Sequence, residues 1–103
     1  MDFYTIIEKA RKTGKIDKGV NEVTKAVERG TAKVVFAAAD VSPKEIIAHL
    51  PILCKEKNII YIEVDSKQKL GISAGIAVGT AAVAVTTAGD AEKDIAQLKS
   101  KAA

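Results

Sequence analysis

Three polar side chains with different hydrogen-bonding capacities lie within one short segment: Asn21, Glu22 and Lys25. The ammonium group of Lys25 binds phosphate oxygens or the acceptor edge of a guanine, whereas the Asn21 amide both donates and accepts. Glu22 only accepts, so on a nucleic acid it can face the amino and imino donors of a guanine edge. This combination suits an RNA surface with phosphates and exposed guanine edges. An ordinary solvated helix face remains the alternative, since charge patterns alone discriminate weakly.

The surrounding segment has the pattern of a loop that runs into a helix. Gly19 stands at the helix entry, where a missing Cβ lets another molecule approach the backbone. Val20, Val23 and Val27 are spaced to form one apolar stripe facing a core. The polar trio falls on a different face near the helix start, where unpaired N–H groups favour anions. Gly30 then predicts the end of the helix.

Composition limits the classes of protein that this chain can represent. Its 103 residues, 48% of them hydrophobic, predict a single domain over residues 1–103 with a real core. Only 4% of the residues are aromatic, which disfavours a binder that stacks several bases on aromatic rings. A net charge of +3 leans only mildly toward polyanions, so a few lysines must be well placed to hold RNA.

The residues that would indicate catalysis or metal binding are scarce. Cys54 is the single cysteine and His49 the single histidine, and no acid is placed to orient the histidine as a base. Too few Cys and His residues are present for a zinc site of that type. We therefore predict a buried structural thiol, no enzymatic activity, no metal and no cofactor.

Compartment and membrane association can also be predicted. The N-terminus lacks the basic region and apolar run of a signal peptide, and a single cysteine fits a reducing compartment. Residues 71–89 carry no charge over nearly the length of a membrane span, but glycines divide that stretch. We predict a cytoplasmic protein, monomeric when free, with no membrane segment.

Hydrophobic periodicity predicts the elements that must position the polar trio. Helices are expected over 2–13, 21–29, 66–74 and 90–101, the last with an apolar stripe of Ala91, Ile95, Leu98 and Ala102. Strands are expected over 15–18, 33–39, 59–64 and 81–86. This alternation predicts an α/β fold, a three-layer α/β/α sandwich with a mixed four-stranded sheet.

A further helix is predicted to begin near residue 42. Ser42, Pro43, Lys44 and Glu45 form a capping-box pattern with proline at the first helical position. Pro51 should break or kink this helix.

Several segments resemble one protein family in order and spacing. Residues 19–30 resemble the signature of the archaeal ribosomal L7Ae family, which binds kink-turn RNA, and residues 38–46, 49–54 and 66–71 continue the match. The resemblance extends from about Tyr4 to Thr86. It implies an RNA-binding component of the large ribosomal subunit. In archaea it also implies a place in box C/D and H/ACA guide-RNA particles, beside other ribonucleoprotein core proteins.

The resemblance also implies roles for individual residues. Gly19, Asn21, Glu22 and Lys25 would meet the tandem sheared G·A pairs of a kink-turn, and Lys67 would reach RNA from the fourth helix. Apart from the resemblance, Lys15 and Lys18, just before this group, are expected to reach phosphates, as is Lys69.

Apolar residues are expected to meet the bulge of the kink-turn. By resemblance Ile46 flanks a flipped-out base, with simple core packing as the alternative. Ile76, Ala77 and Val78 would cover unstacked bases, although apolar loop residues are more often half-buried packing.

Three positions depart from the family pattern. Ser42 stands where many relatives carry an acid, Ala77 where several archaeal relatives carry Glu, and Val78 where some carry Arg. These departures affect which bulge sequences of the RNA the protein is expected to prefer, and how tightly it binds them. They leave the polar trio unchanged. A protein–protein scaffold that uses the Ile76 loop and exposed helix faces is the alternative function.

Overall fold

The computed structural model describes the backbone of residues 2–102 and the side chains of residues 2–98. Within this part, helices and strands alternate along the chain. The helices are α1 (Phe3–Thr13), α2 (Val20–Glu28), α3 (His49–Glu56), α4 (Lys67–Ser73) and α5 (Glu92–Ala102). The strands are β1 (Lys15–Lys18), β2 (Val34–Ala38), β3 (Ile60–Val64) and β4 (Ala82–Thr87). Short 3-10 turns occupy Lys44–Ile46 and Gly89–Ala91.

The four strands form one mixed sheet in the order β1–β4–β2–β3. Strand β4 is antiparallel to both of its neighbours, and β2 is parallel to β3. Lys18 pairs with Val83, and Ala38 pairs with Val64. The ends of β1, β2 and β3 therefore lie at the same edge of the sheet as the start of β4, and we call it the upper edge.

Helices cover both faces of this sheet, as predicted for a three-layer sandwich. Helices α2 and α3 contact each other in one layer, and α1 and α4 contact each other in the other. Every residue of β2 is buried, including Phe36 at its centre. This explains why β2 is a continuous apolar run, since a central strand has no solvent-facing side.

Predicted helix termini are confirmed at three places. The Asp2 carboxylate accepts a hydrogen bond from the Tyr4 N–H at 3.0 Å and caps α1. Ser66 caps α4 in the same manner. Gly30 follows α2 with φ of +73°, a conformation that glycine adopts without a steric penalty.

The predicted start of the third helix is wrong. The capping-box segment forms only the Lys44–Ile46 turn, and no side chain caps that turn. Helix α3 begins at His49 and continues to Glu56, so Pro51 lies in its first turn and does not break it. A proline is tolerated there because N–H groups of the first turn have no partner within the helix.

The uncharged stretch over residues 71–89 is divided between the end of α4, a loop and β4. Among the described residues, no helix has the length and hydrophobicity needed to cross a bilayer. In the closing helix, Ile95 and Leu98 are buried as the apolar stripe predicts, as is Ala91 just before it. The side chain of Ala102 lies outside the described residues.

Candidate nucleic-acid interface

The start of α2 is held at the upper edge of the sheet by Gly19. Its N–H donates to the Ala82 carbonyl at 2.9 Å, and its own carbonyl accepts from the Val23 N–H at 2.9 Å. Gly19 has φ of +91°, whereas the space beside its Cα is open. Glycine is therefore favoured here by backbone conformation, and the open space leaves the backbone accessible to a ligand.

The polar trio lies on the exposed face of α2. Asn21, Glu22 and Lys25 are exposed, whereas Val23 and Val27 are fully buried beneath them. The Lys25 ammonium lies 3.8 Å from the Glu22 carboxylate, and both side chains are more than half exposed. An ion pair this exposed contributes little to stability, so both groups are available to a ligand.

A chain of hydrogen bonds joins α2, the loop before β4 and the start of α4. The Ala82 carbonyl, already bound to Gly19, also accepts from the Thr80 hydroxyl at 3.3 Å. The Thr80 N–H donates to the Lys67 carbonyl at 3.0 Å, and the Lys67 N–H donates to the Asp40 carboxylate at 2.8 Å. Segments far apart in sequence are thus positioned together along the upper edge.

Sequence reasoning missed Asp40 and Thr80. The one available signal was that Asp40 stands two residues after a buried strand, where a carboxylate often caps a neighbouring helix. Thr80 carried no signal, because its partners are distant in sequence.

The protein itself satisfies three backbone donors at the start of α4, those of Ser66, Lys67 and Lys69. The Ser66 N–H donates to the Tyr4 hydroxyl at 3.2 Å, and the Lys69 N–H donates to the Ser66 hydroxyl at 3.2 Å. Asp40 occupies the N–H of Lys67. An RNA phosphate that approaches the start of α4 would meet the exposed side chain of Lys67.

Tyr4 ties α1 to the turn before α4. Its hydroxyl donates to the Asp65 carboxylate, and this hydrogen bond lowers the pKa of Asp65. The pKa of Tyr4 is raised, chiefly by burial and then by the same bond. Asp65 is therefore ionised at neutral pH, and its other oxygen lies 3.9 Å from the Lys69 ammonium.

The apolar loop begins at a glycine that closes α4. Gly75 has φ of +82°, the Ile76 N–H donates to the Gly71 carbonyl at 3.0 Å, and the Gly75 N–H donates to the Ile72 carbonyl at 3.0 Å. This is the Schellman arrangement of a helix end. It leaves Ile76 half-buried, whereas Val78 is 69% exposed.

The loop lies directly on α4. A Cβ built at Gly71 would overlap the carbonyl oxygen of Val78 and lie 3.0 Å from the Gly79 Cα. The position of the loop therefore depends on the absence of a side chain at residue 71. Ala77 is exposed beside Val78, so the loop presents a small apolar surface to solvent.

Comparison with known proteins identifies the family. A family model described as "Ribosomal protein L7Ae/L30e/S12e/Gadd45 family" matches residues 1–95. The chain belongs to this family. Large ribosomal subunit protein eL8 from two strains of Halobacterium salinarum is 53% identical over 95 residues, covering 92% of this chain and 79% of that protein. The solved structure of the Giardia lamblia 15.5kD RNA binding protein has a TM-score of 0.88 at 30% identity, covering 96% of this chain and 82% of that one.

Of the remaining predicted site residues of this L7Ae-family chain, one lies beside the polar trio and one lies far from it. Lys18 is exposed next to Gly19, and Ile46 is 42% exposed, so Ile46 is not a core residue. Lys15 pairs with Thr87 at the opposite end of β1, about 10 Å from Lys18 at strand spacing. The structure therefore does not bring Lys15 together with the other residues, and its phosphate contact stays a prediction.

The lone cysteine of this L7Ae-family chain is a buried thiol. Burial raises the pKa of Cys54 to about 11, which keeps the thiol protonated at neutral pH. The thiolate is the nucleophilic form, so Cys54 is poorly suited to attack a substrate. His49 instead lies 2.7 Å from the Thr24 hydroxyl and links α3 to α2. Among the described residues, no cluster of three or more His, Cys, Asp or Glu side chains could hold a metal ion.

Proposed function

We propose that the chain recognises and stabilises kink-turn motifs, the tandem sheared G·A pairs and bulge of ribosomal RNA, as a component of the large ribosomal subunit. The observation that carries this proposal is the chain of hydrogen bonds that positions an exposed polar face on α2 beside Lys67 and an apolar loop. Family membership supports it, as do relatives named as a large-subunit protein and as an RNA binding protein.

The same proposal includes guide RNAs of the box C/D and H/ACA classes. The surface would contact only the kink-turn itself, so any RNA that contains this motif could bind. In those particles and in the ribosome the chain would be a monomeric cytoplasmic RNA-binding subunit among other core proteins. It would need no cofactor and no catalytic group, because its proposed function is to bind RNA and stabilise the bent conformation of the kink-turn.

The proposed surface would favour one conformation of the RNA. Gly19, Asn21, Glu22 and Lys25 would contact the sheared pairs while the Ile76–Val78 loop covers the bulge, and we expect both contacts to form together only on bent RNA. Such a protein shifts the RNA population toward the bent form by its differential affinity. Few phosphates need be neutralised, so we expect a salt slope of about −3 to −5 in log–log terms.

The test compares two RNAs and two observables. We expect tight binding in a gel shift to a kink-turn RNA and much weaker binding to the same RNA with its G·A pairs disrupted. With fluorophores on the RNA ends, protein added without magnesium should bring the ends together. Equal affinity for both RNAs, or tight binding that leaves the ends extended, would contradict the proposal.

A Glu22→Gln substitution tests whether the carboxylate reads guanine donors directly. A purely electrostatic surface would bind RNA more tightly after this change, because a negative charge is removed. We expect weaker binding to the kink-turn, since a charge-assisted hydrogen bond is about twice as strong as a neutral one. Fluorescence anisotropy at matched salt measures the difference, with the G·A-disrupted RNA as the control on which the loss should vanish. Tighter binding to the intact motif would argue against direct readout.

A protein–protein scaffold is the second candidate function. It is favoured by Ile52, a large apolar side chain on α3 that is 63% exposed. Ile52 lies on α3 and not on α2, and in this proposal a protein would dock there while RNA occupies the polar trio. An Ile52→Ser variant that keeps full RNA affinity but no longer joins a reconstituted ribonucleoprotein particle would support this role.

A further inference from the structure

Arg11 lies at the base of the apolar loop, although it belongs to α1. The space that a side chain at Gly75 would fill is occupied by the Arg11 side chain. The Cδ, Nε and Nη1 atoms of Arg11 lie 2.7, 3.0 and 3.1 Å from the ideal Cβ position at Gly75. Gly75 is followed directly by Ile76, the first residue of the loop. The guanidinium group is therefore adjacent to the segment proposed to cover the bulge.

The positive charge of Arg11 is not neutralised within the described side chains. The ion pairs there join Lys9 to Asp94, Lys25 to Glu22 and Lys69 to Asp65, and Arg11 takes part in none of them. Its side chain is exposed and forms no hydrogen bond within that part of the chain. A guanidinium packed on neutral backbone keeps its donors available to an anion.

We propose that Arg11 binds a backbone phosphate of the bound RNA next to the Ile76–Val78 loop. This inference rests on the proposed RNA-binding function and extends its footprint from α2 and α4 to α1. Guanidinium presents a planar fork of donors that matches phosphate oxygens, and it stays charged at all physiological pH values. Packing on Gly75 restricts the side chain before binding, so less conformational freedom is lost when the phosphate docks.

The position also accounts for the glycine at residue 75. Its positive φ already favours glycine, and any side chain there would in addition displace Arg11. A residue larger than glycine would thus disturb both the end of α4 and the phosphate contact.

The experiment compares Arg11→Gln, which keeps an aliphatic stem, with Lys12→Ala as the matched control. Lys12 is the next residue on α1, exposed and of equal charge, but it points away from its neighbour by the helical rotation. Affinity for a kink-turn RNA and its G·A-disrupted form is measured from about 0.05 to 0.3 M salt. We expect Arg11→Gln to weaken kink-turn binding about three- to tenfold at low salt and to reduce the salt slope by about 0.7 to 0.9. Lys12→Ala should change both quantities much less.

The outcomes separate the two proposals. If the wild-type protein does not distinguish the two RNAs, the proposed function fails. If it distinguishes them but Arg11→Gln and Lys12→Ala behave alike, only the Arg11 contact fails, because the effect is then one of overall charge. Unchanged RNA affinity in Arg11→Gln together with lost binding to a poly-glutamate peptide would assign Arg11 to a protein partner and overturn the proposal. Thermal unfolding of each variant shows whether the fold is retained. Arg11→Lys keeps the positive charge, so it should restore most of the salt dependence of RNA affinity that Arg11→Gln loses.

Discussion

A Gly71→Ala variant should lose most of its affinity for kink-turn RNA and should also unfold more easily. The added methyl group would overlap the Val78 carbonyl, which belongs to backbone and cannot rotate away. The loop must therefore lift off α4, or the helix must shift beneath it. Overpacking of this kind costs about 1–3 kcal/mol of unfolding free energy. Because the displaced segment is the proposed bulge-covering loop, we expect RNA affinity to fall by more than about tenfold, or about 1.4 kcal/mol.

A Gly14→Ala variant provides the matched control for this prediction. A Cβ at Gly14 would overlap the Thr87 carbonyl in the same manner, but at the end of the sheet opposite the upper edge. We expect a comparable loss of stability in chemical denaturation with a much smaller loss of RNA affinity for the folded protein, no larger than that of Arg11→Gln, since Gly14 ends the helix that carries Arg11. If both variants lose affinity equally, the loss follows from instability and not from the position of the loop.

Asn21→Ala and Lys25→Ala should each weaken kink-turn binding with little loss of stability. Both side chains are exposed and lie off the buried Val23–Val27 stripe, so their removal leaves no cavity. A lost base contact costs about 1–3 kcal/mol, which corresponds to roughly five- to 150-fold in affinity. Isothermal titration at fixed salt measures the loss, and thermal unfolding checks the fold.

The two variants should differ in their dependence on salt. Lys25→Ala removes a charge and should flatten the salt slope, whereas Asn21→Ala should leave the slope unchanged. Lys93→Ala is a suitable control, since Lys93 is an exposed lysine at the start of α5, away from the polar trio. Unchanged affinity in both Asn21→Ala and Lys25→Ala would move the binding surface elsewhere on the protein.

Arrangements controlled by neighbouring residues were predictable from the sequence. The continuous apolar run of β2 identified a strand buried on both faces, and Asp2, Ser66 and Gly30 marked helix ends correctly. These signals depend on side-chain periodicity and on caps, which act within about four residues of the chain. The same local rules misplaced the third helix, because a capping pattern at Ser42 does not by itself decide where a helix begins.

Packing between segments distant in sequence decided which of the site residues lie together. The sequence by itself determined which elements form, their alternation, and the polar face of α2, since each depends on local spacing. Only the tertiary structure brought Gly19, Thr80, Lys67 and Asp40 into one chain of hydrogen bonds, separated Lys15 from them, and placed Arg11 on Gly75. The physical reason is that strand order and helix packing depend on the burial of the whole apolar surface, to which residues sixty positions apart contribute together.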